Sequence, residues 1–215
     1  MVLIVRIAET ADQMGRPLLV EGDPMGDHDN LETRLEQLEN RLRVVEDERD
    51  IARLIATYGP SVDAADAVAV AALWSADGVY DVEGWRMSGR DEVAAMVRSG
   101  GHRRLVENGC SHFLGPAVVT VRGDDAVAVC ESLVVLRAAD GYAERESGAT
   151  RDHLPAPGYV VWRAAANHFR LGRIDGRWQI VERMSRVLDG NAHAHELLRV
   201  GIAGEVVYSR TSENG

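Results

Sequence analysis

The apolar residues of this chain keep one rhythm in its first part and another in its second. From Leu31 to Val45 and again from Ile51 to Val62 they recur every three or four positions, the spacing of a single helical face. From Phe113 onward they fall into long strand-like runs broken by Gly/Asp turns. Phe113 to Arg122 and Ala126 to Ala138 flank Gly123-Asp-Asp125. Gly158 to Arg173 and Arg177 to Leu188 flank Asp175-Gly176, with a polar Gly141 to Pro157 loop between the two pairs. Helices followed by an antiparallel meander define an α+β fold.

Within the helical part, Leu31, Leu35, Leu38, Leu42 and Val45 alternate steps of four and three. That is a heptad seam with charged flanks. It falters at Arg49, so the expectation is a helix docking on its own domain or on a neighbouring subunit rather than a free-standing coiled coil. Ile51, Leu54, Ile55, Tyr58 and Val62 continue the stripe, and Pro60 should kink the helix or begin its end. Asp66 is placed to cap a second helix, Ala67 to Trp74. Asp77-Gly78 reads as a turn, Val79 to Glu83 with Trp85 to Met87 as a hairpin, and Asp91 to Ser99 as a third helix. A Gly-rich basic loop should lead to Gly109, and Ala192 to Val200 should form a last short helix. The expected organisation is a flexible segment over 1–30, with a link at Gly22 to Asn30. A helical extension over 31–45, a domain over 46–200 and a tail over 201–215 follow.

Composition narrows the chemistry. The 215 residues carry a net charge of −10, which argues against nucleic acid or an acidic membrane as partner. Every basic residue is arginine; without lysine, Schiff-base catalysis and a Walker-type phosphate loop are excluded. Cys110 and Cys130 have neither disulfide-scaffold density nor metal-ligand spacing. Val2 to Ile7 is too short for a signal-peptide core and no run approaches membrane-spanning length, so a cytoplasmic protein is expected.

Three side chains stand out. A neutral imidazole at His112 could take a proton, provided a carboxylate fixes its tautomer. The same histidine could equally be a hydrogen-bonded structural residue. Asp63 and Asp66 compete for the carboxylate role; Asp66 fits the cap, which leaves Asp63. Arg183 alternates with Val181 and Gln179, while Trp178, Ile180 and Glu182 point the other way, and alternation alone does not say which set faces a pocket. Tyr58 could donate to a substrate oxygen or simply pack in the core. Trp85, Phe113, Cys130 and His168 are expected to line the substrate pocket, although His168 could equally be a packed sheet residue. His193-Ala-His195-Glu196 lacks the spacing of a metal site, Glu131 is a weakly supported extra acid, and Arg103 and Arg104 read as solvated loop residues. No dinucleotide fingerprint is present.

Ile51 to Tyr58, Val62 to Asp66, Ala72 to Tyr80, Ser111-His112-Phe113, Asn167-His-Phe169 and Gly176 to Arg183 together resemble the SnoaL-like branch of the nuclear-transport-factor-2-like superfamily. The resemblance covers about residues 46 to 198. It implies a cone-shaped, curved mixed/antiparallel sheet wrapped around N-terminal helices (an α+β barrel), here with an N-terminal helical extension. It is similar in its site to scytalone dehydratase, bile acid 7α-dehydratase and hexachlorocyclohexane dehydrochlorinase. Those enzymes use an Asp–His dyad in an apolar cone without cofactor or metal. Asp63 and His112 match that dyad, Arg183 an arginine found in some members, and Tyr58 a tyrosine of the bile acid enzyme. The additional aspartate in that enzyme's central strand has no clear counterpart. The resemblance also implies a homo-oligomer, a trimer more than a dimer.

The expectation is therefore a cofactor-independent hydro-lyase acting on a hydrophobic cyclic molecule such as a steroid or polyketide. Isomerisation or polyketide cyclisation could use the same parts, and the fold also serves as a non-catalytic binding or assembly subunit.

Overall fold

The computed structural model describes residues 24–138 and 158–208. The expected Gly141 to Pro157 loop, residues 1–23 of the expected flexible segment and residues 209–215 of the expected tail lie outside those residues. The chain divides into two compact units, Met1–Arg43 and Val44–Gly215. The first contributes the beginning of helix α1, Pro24–Asp63. Helix begins at Pro24, so the Gly22 to Asn30 link is helical from there; proline suits a first turn, where its missing N–H has no partner to lose. Among the described residues, no helix is long and apolar enough to cross a membrane.

The second unit is a sheet with helices on it. α1 passes through Pro60 without ending and stops at Asp63. Its Ile51, Ile55, Tyr58 and Val62 stripe is buried in the main core. Asp66 caps α2 (Ala67–Ala71), accepting from the backbone N–H of Val68 and Ala69. This helix stops short of Trp74, which opens β1 (Trp74–Val82). Asp77-Gly78 is no turn but an irregularity within β1, where the register against its neighbour shifts between Trp74 and Val79. Gly78 is needed there because a Cβ would stand 2.7 Å from the Ile180 carbonyl oxygen. The Glu83-Gly84 hairpin leads to β2 (Trp85–Ser88); both turn residues have positive φ, 53° and 88°, as a two-residue hairpin demands.

Two helices follow, α3 (Arg90–Arg98) and α4 (Gly100–Glu107). The second replaces the expected Gly-rich loop: Ser99 caps it by accepting from the His102 N–H. The predicted Phe113 to Arg122 strand is two strands, β3 (Cys110–Leu114) and β4 (Val118–Arg122), both paired with β5 (Asp125–Ala138). β6 (Gly158–Ile174) and β7 (Arg177–Val187) complete the sheet, and α5 (Ala192–Ile202) packs on it through Ala194 and Leu197 against Ala166 and Met184. The strand order β2-β1-β7-β6-β5-β3 leaves an open, curved sheet, antiparallel except for the parallel β1–β7 pair. α1 is tied to it by the buried Asp47, which accepts from Trp178 Nε1 at 3.0 Å and pairs with Arg173 at 2.6 Å.

Candidate active site

The end of α1 and the start of β3 meet at unusually short range. Gly59 permits this, since a Cβ on it would collide with the His112 carbonyl oxygen. One helical turn later, Asp63 takes hold of His112 twice. Its Oδ2 accepts from the His112 backbone N–H at 2.8 Å, and its Oδ1 lies 2.7 Å from the ring Nδ1. A carboxylate only accepts, so Nδ1 carries the proton and Nε2 keeps its lone pair. Asp63 itself stands behind the ring, while His112 lines a cavity of about 450 Å³, a size usual for small-molecule sites.

That cavity is mostly apolar, with Val82, Met87, Met96, Leu105, Leu114 and Val134 in its wall and the half-exposed Trp85 and Trp162 also lining it. At its polar side lie Tyr58, Tyr80, Ser132, Ser185 and Arg183. The Arg183 guanidinium is buried and lies 4.2 Å from the Tyr58 ring centroid, 4.6 Å from Tyr80 and 5.2 Å from Phe169. Its Nε and Nη2 both donate to Asn167 Oδ1, at 3.1 and 2.8 Å, while Nη1 has no hydrogen-bond partner among the described residues. A buried cation with an unmatched N–H group is costly unless something arrives to accept it. Asn167 in turn donates to Ser132 Oγ at 2.8 Å, so the serine hydroxyl hydrogen is free to point elsewhere. Burial raises the Tyr58 phenol well above its ordinary range and Tyr80 adds to this, against the opposing pull of Arg183. Tyr58 therefore stays a donor.

The face of Arg183 is decided by a bulge. In the β6–β7 register Leu171 pairs with Ile180 but Arg170 pairs with Glu182, leaving Val181 as the extra residue. Alternation breaks there, and Arg183 joins Trp178 and Ile180 on the core face instead of Gln179 and Val181.

Five of the expected residues come together: Asp63 against His112, with Tyr58, His112 and Arg183 on the cavity and Trp85 in its wall. Three of the expected lining residues are elsewhere. Phe113 follows His112 in an extended strand, so it projects to the opposite face and is 60% exposed. Cys130 is packed in the core among Ala126, Ala128 and Phe169. His168 is wholly buried on the other side of the sheet, its Nε2 2.9 Å from the Glu205 carbonyl oxygen. Glu131, Arg103, Arg104, His193, His195 and Glu196 are exposed.

One cavity residue was missed. His102, on α4, lines the cavity with its ring centroid 6.0 Å from that of His112. Its Nε2 lies 3.0 Å from the Val62 carbonyl oxygen, so it donates to the end of α1 and Nδ1 is left as the acceptor. Burial lowers its pKa, with the Val62 hydrogen bond opposing, and this keeps the ring neutral. The available signal was Ser99 as a cap three residues before it. Asp63, Cys110 and His112 also offer ligand atoms within 4.8 Å of one another. They suit a metal poorly: burial, then the Asp63 charge, pushes the Cys110 thiol up to about 12, and Nδ1 is engaged by Asp63.

Comparison with known proteins agrees with this architecture. A SnoaL-like domain family matches residues 43–184. An NTF2-like protein with a cystatin-like fold from Novosphingobium aromaticivorans is 39% identical, covering 76% of this chain and 96% of that one, with a TM-score of 0.66. Two more distant structures share the fold. A hexachlorocyclohexane dehydrochlorinase from Novosphingobium barchaimii is 17% identical over 69% of this chain and 90% of its own, with a TM-score of 0.54. A candidate scytalone dehydratase from N. aromaticivorans is 19% identical over 69% and 87%, with a TM-score of 0.52. No curated protein matches the chain. With two thirds of its length matched by one domain family, and with this sheet and helix order, the chain belongs to the SnoaL-like domain family of NTF2-like proteins.

Proposed function

We propose that this protein is a cofactor-independent lyase of the dehydratase type, acting on a hydrophobic cyclic substrate such as a steroid or polyketide. The observation that carries the reading is His112, held in one tautomer by Asp63 and presented to an apolar cavity that also contains an unpaired arginine N–H. His112 Nε2 removes a proton from the carbon next to a carbonyl. The carbonyl oxygen, becoming an enolate, accepts from Arg183 Nη1 and the Tyr58 hydroxyl. The enolate then expels a β-hydroxyl, to which the imidazolium returns its proton, so the substrate loses one molecule of water. General-base catalysis contributes ~10²–10⁴-fold, and donors aimed at a developing oxyanion contribute a comparable ~10²–10³-fold. The mostly hydrophobic walls suit a cyclic ketone.

The two neighbours described as a dehydrochlorinase and a candidate scytalone dehydratase support elimination as the reaction class. The two unpaired cysteines suit a cytoplasmic location. The test is a panel of cyclic β-hydroxyketones incubated with the protein in deuterated water. We expect recovered substrate to take up deuterium at the α carbon and the product to be lighter than the substrate by one water, with both lost in His112→Ala. Deuterium entry without mass loss would indicate isomerisation instead. Turnover undiminished in His112→Ala would rule the mechanism out.

A further inference from the structure

We propose that the leucine seam of α1 pairs, parallel and in register, with the seam of a second copy of this chain. Leu31, Leu35, Leu38, Leu42 and Val45 are 51–60% exposed, on a helix whose continuation through Ile51, Ile55 and Val62 is buried. Five such residues in one line are a continuous apolar stripe of roughly 21 Å, not the scattered exposure normal on a surface.

The charges beside the stripe say what covers it. With Leu31, Leu38 and Val45 at heptad position d and Leu35 and Leu42 at position a, the e positions are Glu32, Glu39 and Glu46. The g positions of the same two heptads are Arg34 and Arg41. In a parallel pair each g residue faces the e residue five positions later on the other helix. Arg34 of one copy then reaches Glu39 of the other, and Arg41 reaches Glu46, each pair occurring twice by symmetry. An antiparallel pair would set arginine against arginine and glutamate against glutamate. The pattern is thus complementary to itself in one orientation and self-repelling in the other.

The same flanks keep the stripe narrow. Charged residues stand directly beside both apolar positions, which leaves a strip of the width two helices share. A seam this short would be marginal between isolated peptides. Here it belongs to a 40-residue helix, so pairing does not have to pay for helix formation. Arg49, at the next a position, ends the seam before the buried stripe begins at Ile51.

The full chain is used for the test. Leu31→Cys puts a thiol near one end of the seam; the native Cys110 and Cys130 are partly and fully buried, and wild type supplies the background. Mild oxidation should link two copies of Leu31→Cys, and sedimentation of the wild type should give a two-chain mass. Adding Arg34→Glu and Arg41→Glu should weaken association at least about tenfold and suppress the cross-link. Further adding Glu39→Arg and Glu46→Arg should restore both, which separates charge pairing from loss of helix. A monomer, a three-chain mass, cross-linking only between Leu31→Cys and Val45→Cys variants, or indifference to charge reversal would each overturn the proposal.

Discussion

Replacing Asn167 with alanine tests whether Arg183 is held as a buried cation. Asn167 is completely buried, and its Oδ1 is the acceptor for both Arg183 Nε and Nη2. Hydrogen bonds to a charged group contribute ~1.5–3 kcal/mol each, so their joint loss could reach about 6 kcal/mol. Two features bring the figure down. The guanidinium keeps the faces of Tyr58, Tyr80 and Phe169. Water from the adjoining cavity can also reach the freed nitrogens. We expect a loss of about 3 kcal/mol, or a fall in Tm of roughly 6–12 °C. Urea unfolding followed by tryptophan fluorescence reads this directly, because Trp74 is fully buried in the core. Asn167→Asp keeps the acceptor for Arg183 but loses the amide donor to Ser132 Oγ and the Ala165 carbonyl, so it should lie between Asn167→Ala and wild type in stability, and it should depress turnover by neutralising the cation offered to substrate. If Asn167→Ala lies within about 1 kcal/mol of wild type, the anchoring of Arg183 has been misread.

Two further outcomes follow from the packing. Gly59→Ala should push α1 away from β3, because its Cβ would occupy the position of the His112 carbonyl. A loss of roughly 1–3 kcal/mol is expected together with loss of the Asp63–His112 contact, and unchanged urea stability would contradict it. His168 is buried, which lowers its pKa; the Glu205 carbonyl and Glu182 oppose the shift and Arg170 adds to it. The unfolded chain therefore binds a proton more readily than the native one, and stability should fall as pH drops below about 6.5. His168→Gln should flatten that decline in urea titrations at successive pH values; superimposed slopes would count against it.

Much of the site was legible because its residues sit where local signals are strong. Asp63 closes an amphipathic helix and Asp66 takes the cap, so the two carboxylates could be told apart before any geometry was known. Asp175-Gly176 and Gly123-Asp124 marked real hairpins because tight two-residue turns favour those types. What stayed hidden depended on long-range packing. The Val181 bulge that turns Arg183 inward leaves no mark on simple alternation. Gly100 and Gly101 disguised a helix as a loop, and His102 disappeared with it; the Ser99 cap and contacts with α1 outweigh the poor propensity of glycine. Asp77-Gly78 looked like a turn, but its glycine serves a close approach of two strands. Phe113 was expected in the pocket together with its neighbour His112, although an extended strand cannot aim two consecutive residues at one face.

The measurement closest to the heart of the mechanism is the tautomer of His112, read by nitrogen-15 NMR of histidine-labelled protein and assigned by comparison with His112→Gln. A neutral ring protonated on Nδ1, shifting toward a mixture of tautomers in Asp63→Asn, is the expected result. A ring protonated on Nε2, or one indifferent to Asp63, would mean that no lone pair faces the cavity and that the proposed base is not there.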